Sequence, residues 1–123
     1  MTVRVIVTQS AIGSAFEKAR ELTATGLRQG EDFVTASHPE DVEWAFAKNE
    51  RQLLIVGTWH GAEEPTVDFV KKAKEKNPNL VVWFYSSMPW PSKYPEAYDR
   101  VITGPNRPGI PELVRSYLSA SGR

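Results

Sequence analysis

Apolar positions along the chain come in short solid runs, each followed by a stretch in which they recur every three or four residues. Val3-Arg4-Val5-Ile6-Val7 is β-branched and almost wholly apolar, the pattern of a strand buried on both faces. Beyond it, Ser14-Ala15-Phe16-Glu17 has the spacing of a capping box. Phe16, Ala19 and Leu22 then repeat at helical intervals until Gly26 supplies a stop. Phe33-Val34-Thr35-Ala36 predicts a second strand, and Ser37-His38-Pro39-Glu40 opens a second helix with Val42, Ala45 and Phe46 on its inner face. Leu53-Leu54-Ile55-Val56, ended by Gly57, reads as the central strand. Thr66 is placed to cap a third helix with Val67, Val70 and Ala73 inward and Lys71, Lys72, Lys74 and Lys76 outward, stopped by Asn77-Pro78-Asn79. Leu80-Val81-Val82-Trp83-Phe84-Tyr85 is a fourth strand and Val101-Ile102-Thr103 a fifth. Pro111 begins a last helix through Leu113, Val114, Tyr117 and Leu118.

Strands alternating with helices imply right-handed crossovers and a parallel sheet covered on both faces. The pattern therefore predicts a single α/β domain over residues 1–123: a three-layer, doubly wound, five-stranded parallel sheet of flavodoxin-like order 2-1-3-4-5. One interval breaks the rhythm. Met88 to Asp99 carries Pro89, Pro91 and Pro95, so a full fourth helix cannot form, and one turn around Glu96-Ala97-Tyr98 is the most the sequence allows.

Composition narrows the function. Fifteen Lys plus Arg balance fifteen Asp plus Glu, which argues against a dedicated nucleic-acid binder. There is no cysteine, so disulfides, thiolate-ligated metals and thiol nucleophiles are excluded. No apolar run approaches the ~20 residues that span a bilayer, and the N-terminus lacks the pattern of a secretory signal. The expectation is a cytoplasmic protein without membrane contact. Met1 and the polar Ser119-Ala120-Ser121-Gly122-Arg123 tail read as those of a complete short chain.

In such a sheet, ligands bind beyond the carboxyl ends of the strands. Strand one ends in Thr8-Gln9-Ser10, strand three in Gly57-Thr58-Trp59-His60, strand four in Ser86-Ser87 and strand five in Gly104-Pro105. None of these ends carries a carboxylate, which two-metal chemistry, aspartyl phosphorylation and carboxylate acid–base catalysis all need.

Length, element order and several stretches resemble the receiver domain of two-component response regulators over essentially the whole chain. Ala36-Ser37-His38-Pro39-Glu40-Asp41-Val42-Glu43-Trp44-Ala45 is similar to that family's second strand and the helix after it. Asn77-Pro78-Asn79-Leu80-Val81-Val82 is similar to its entry into strand four, and Tyr98-Asp99-Arg100-Val101-Ile102-Thr103-Gly104-Pro105 to its Gly-Ala-Asp-x-Tyr-x-x-Lys-Pro end. The resemblance puts the Mg²⁺-holding acidic pair on Thr8 and Gln9, the phosphoacceptor on Gly57 and the aromatic switch on Val101. It puts the Lys on Gly104, and keeps the hydroxyl residue as Ser86 and the proline, often cis in the family, as Pro105. It implies a pseudo-receiver: a non-enzymatic module without cofactor that serves signal transduction by contact with another protein or a second copy of itself.

The interaction candidates are aromatic. Trp90, Tyr94, Tyr98 and Tyr117 lie where receivers dimerise or dock effectors, with Pro89-Trp90-Pro91-Ser92-Lys93-Tyr94-Pro95 presenting large side chains on a stiff loop. Trp90 is equally suited to plug the sheet face that a missing helix exposes, whereas Tyr94 and Tyr98 are expected at the surface. The alternative function is a small flavodoxin-like binder of FMN or another phosphate-bearing ligand. Its phosphate would lie on the hydroxyl-rich turn of Thr8, Ser10, Gly13 and Ser14, with Trp59 stacking on the ring. His60 with Glu63 and Glu64 reads as a solvated rim rather than a metal site, and His38 as part of a helix-start turn.

Overall fold

The computed structural model describes residues 3–8, 15–36, 43–48, 50–57, 63–86 and 92–121. Five strands form one sheet: β1 (Val5–Thr8), β2 (Phe33–Ala36), β3 (Gln52–Val56), β4 (Leu80–Ser86) and β5 (Arg100–Thr103). Their order is β2-β1-β3-β4-β5 and every pair is parallel, as the alternating pattern requires. This is the flavodoxin-like, receiver-type topology. Register is continuous across the centre, with Thr8 beside both Ala36 and Val56, and Ser86 beside Thr103.

Helices α1 (Ala15–Ala24), α2 (Glu64–Lys76) and α3 (Ile110–Ser121) complete the layers. Alternate residues of each strand serve opposite faces. Val5, Val7, Leu53, Ile55 and Tyr85 pack with Ala19 and Leu22 of α1 and Leu113, Val114 and Tyr117 of α3. Ile6, Leu54, Val56, Val82 and Phe84 pack with Val67, Phe69, Val70 and Ala73 of α2. Gly26, at φ +96°, takes the left-handed conformation that ends α1.

Two local expectations change and a third is met. The helix expected from Ser37 is described only from Glu43 on, and residues 43–45 there make one 3₁₀ turn. Thr66 lies inside α2 rather than at its cap: the helix starts at Glu64 with Pro65 in its first turn, and the Thr66 hydroxyl donates to the Gly57 carbonyl. That bond ties the start of α2 to the end of β3. Between β4 and β5 the described residues make one 3₁₀ turn, Pro95–Ala97, in line with the single turn the prolines allow.

At the amino ends of the strands, one polar side chain joins four segments. Gln52 is fully buried. Its amide donates to the carbonyls of Val3 (2.7 Å) and Ala45 (2.8 Å), and its oxygen accepts from Ala47 N–H (2.9 Å) and from the Asn77 amide (3.0 Å). Asn77, just past α2, also donates to the Glu50 carbonyl (2.7 Å) and accepts from Asn79 N–H (3.0 Å). Replacing Gln52 by Leu keeps the volume but orphans these buried partners. Since each unsatisfied group costs ~1–3 kcal/mol, Gln52→Leu is expected to lower stability by about 3 kcal/mol in urea unfolding. A change below about 1 kcal/mol would show that water replaces the network.

Candidate functional site

At the carboxyl ends of the strands the described residues Thr8, Gly57, Ser86 and Gly104 are all neutral. Thr8 has no exposed surface, and its hydroxyl donates to the Ile55 carbonyl at 3.3 Å. Gly57 is buried, with its carbonyl committed to Thr66. Ser86 is nearly buried at the end of β4. Gly104 has φ +99°, a conformation available to glycine and strained for any residue with a Cβ. The Gly104–Pro105 peptide is trans, unlike the cis bond the receiver resemblance suggests. Of the residues proposed for a phosphate or flavin, Ser10, Gly13, Ser14 and Trp59 lie outside the described residues. So do Gln9, Trp90, His38 and His60. Thr8, sealed within the sheet, has no face to offer a ligand.

Charge concentrates one loop away, at the start of α2. Glu63 is buried and accepts from three donors of the segment that replaces the fourth helix. The Ser92 hydroxyl and the Tyr98 hydroxyl (2.7 Å) both meet Oε2, and Lys93 N–H meets Oε1 at 2.9 Å. Tyr94 N–H in turn donates to Ser92 Oγ (2.9 Å), and the Tyr94 hydroxyl to Glu64 Oε2 (2.8 Å). Two adjacent carboxylates at a helix N-terminus also face the positive end of its dipole. The pair is therefore a clamp, and the expectation of a solvated rim fails for Glu63. Its signal in the sequence is a Glu-Glu-Pro helix start opposite a Ser and two tyrosines on a proline-rich loop, legible only once the topology sets them side by side.

The clamp overturns the surface placement of Tyr98. Its ring is buried and stacks on Phe84 with centroids 4.8 Å apart. Tyr94 is half-buried against the same core. Tyr117 is buried too, its ring edge-on to Trp83 at 6.0 Å, so it packs α3 to the sheet and presents no contact surface. Burial, and then the Glu63 carboxylate that holds its hydroxyl, push the Tyr98 phenol above the ordinary tyrosine range. The hydrogen bond to Glu64 raises Tyr94 likewise, whereas backbone N–H groups at the helix start, followed by Tyr94, hold Glu64 below the usual carboxylate value.

At the far edge, beyond β5, a second arrangement escapes the sequence pattern. An open groove of about 480 Å³ runs along residues 100–108. The Arg100 guanidinium lies 5.1 Å from the Trp83 ring centroid, and that of Arg107 lies 5.0 Å from the Tyr85 centroid. The Tyr85 hydroxyl donates to the Pro108 carbonyl at 2.7 Å, which fixes the turn bearing Arg107.

The clamp has a measurable pH signature. A phenol whose pKa is higher folded than unfolded keeps its proton longer in the fold. The stability it contributes is complete below about pH 10 and falls as the pH climbs beyond that value. Tyr98→Phe is expected to cost about 1 kcal/mol at neutral pH and to flatten the alkaline decline in melting temperature. An unchanged alkaline slope would show that Tyr98 ionises freely. Glu63→Ala, which strips three donors of their acceptor, is expected to cost more than Tyr98→Phe in the same assay.

No family profile matches the chain, and no curated protein does. Solved structures match its fold. An adenylate cyclase from Rhodopirellula baltica superposes with a TM-score of 0.60 at 12% identity, over 98% of this chain and 87% of that one. A candidate pilus assembly protein, CpaE, from Burkholderia thailandensis superposes with a TM-score of 0.59 at 15% identity, over 98% of this chain and all of the other. At these identities the likeness is one of fold: the chain has the receiver-type, flavodoxin-like architecture that its pattern of elements predicts. Among the described residues no helix is long and apolar enough to cross a membrane.

Proposed function

We propose that the chain is a pseudo-receiver: a regulatory module that works by contact with another protein in the cytoplasm and takes up no phosphoryl group by the receiver route. The observation that carries this is the chemistry at the strand ends. Where the receiver resemblance calls for an acidic pair, an acceptor Asp and a Lys, this chain has Thr8 and Gln9, Gly57, and Gly104. Of these, the Thr8 hydroxyl and the Gly57 carbonyl are engaged within the fold. Aspartyl-phosphate chemistry needs a carboxylate nucleophile and a cation to balance the transferred charge, and these positions supply neither. The fold itself is kept, and the likeness to the two solved structures supports a domain of signalling type.

The β4–β5 side is the favoured face for contact, because there the ordinary helix gives way to a segment braced on Glu63. Held in place before binding, such a segment loses little entropy on meeting a partner. Incubation with acetyl phosphate and Mg²⁺ is expected to leave the intact mass unchanged. A stable gain of one phosphoryl group would overturn the reading, as would flavin absorbance in the freshly purified protein.

A further inference from the structure

A contact module needs a surface, and the β5 edge has three properties that together specify a ligand. The first is backbone. Among the described residues β5 ends the strand order, and its outer N–H and C=O groups face no further strand of them. An extended peptide can add to such an edge with main-chain hydrogen bonds.

The second is charge without a counter-charge. Among the described residues neither Arg100 nor Arg107 pairs with a carboxylate. Asp99, next to Arg100 in sequence, is already engaged by Lys74 (3.3 Å) and by Val82 N–H (2.8 Å). Arg107 spends one N–H on the Gly104 carbonyl (2.9 Å), and its buried Nε has no acceptor.

The third is placement. Trp83 and Tyr85, two residues apart on β4, point to the same face of the sheet. Each carries one guanidinium on its ring. Stacking on an aromatic face holds a planar guanidinium in place and lowers the entropy lost when it binds an anion. The groove beside them is long and open, with Arg100, Thr103, Asn106 and Arg107 among its walls.

Resting on the reading of the chain as a contact module, we infer that the free edge of β5 binds an extended acidic segment of a partner protein. The segment's backbone continues the sheet, and its carboxylates meet Arg100 and Arg107. A nucleic acid also brings anions, but it has no peptide backbone to pair with the edge, and the chain as a whole carries no net positive charge.

The test uses the full chain, isotope-labelled, and a blocked heptapeptide that alternates Glu with Val, followed by amide NMR. Binding with a dissociation constant below about 1 mM, with shifts centred on Val101, Thr103 and Arg107, supports the inference. So does at least tenfold weaker binding by the Arg100→Gln, Arg107→Gln double variant, with partial recovery in the corresponding double Lys variant. The Lys variant also guards against a folding defect, because it keeps the charge while both variants are checked by circular dichroism. N-methylation of alternate peptide bonds in the probe should abolish binding without altering its charge. Four outcomes overturn the inference: no binding, shifts centred on Lys71 and Lys72 of α2, affinity unmoved by the arginine changes, or equal binding of the N-methylated probe. None of them bears on whether the strand ends accept a phosphoryl group, so failure here and failure of the pseudo-receiver reading are told apart by the acetyl phosphate experiment.

Discussion

A buried carboxylate held by uncharged donors organises the side of this molecule where α2 begins. Taking a Glu side chain out of water costs several kcal/mol unless its lone pairs are met, and Glu63 is met by Ser92, Tyr98 and the Lys93 amide. Because those donors come from the stretch between β4 and β5, that stretch has to lie against the start of α2. The proline-rich sequence forbids the helix that usually fills this place, and the Glu63 contacts supply the order the helix would have given. Tyr98 then turns inward onto Phe84, and the apolar face of the sheet is closed by an aromatic ring.

The two ends of the sheet are stabilised by different chemistry. At the amino ends, the amides of Gln52 and Asn77 satisfy one another and the nearby main chain without any charge. At the carboxyl ends, a charged group takes its donors from a neighbouring loop, and the strand-end residues Thr8 and Gly57 are tied to main-chain or helix groups. The amino-end network contains no ionisable side chain, whereas the carboxyl-end one includes the Tyr98 phenol, whose proton the fold retains above the ordinary tyrosine range.

Much of this fold was legible in the sequence because central parallel strands must be apolar on both faces. Val5–Thr8 and Leu53–Val56 announce themselves by composition, and Gly26 and the prolines after Met88 mark a stop and a missing helix by backbone restriction alone. The site was less legible. Carry-over from the receiver pattern needs only register, and Thr8, Gly57, Ser86 and Gly104 do lie at or just beyond the carboxyl ends of their strands. Tyr98 and Glu63 were misplaced because their environment depends on which loops meet across the sheet, and no local spacing encodes that. Nor does periodicity pair Arg100 with Trp83 or Arg107 with Tyr85: the first is a cross-strand neighbour, the second comes from a turn folding back over β4.

Gly104 sets what the end of β5 can carry through its backbone rather than through the space around it. There is open space around the position a Cβ would take, so room is not what keeps a lysine out. The obstacle is a φ of +99°, which costs an L-residue roughly 1–2 kcal/mol. The backbone there lies where only glycine is comfortable. A replacement at Gly104 would therefore have to move the backbone before it could present a new side chain, so the end of β5 resists acquiring new chemistry by single substitutions.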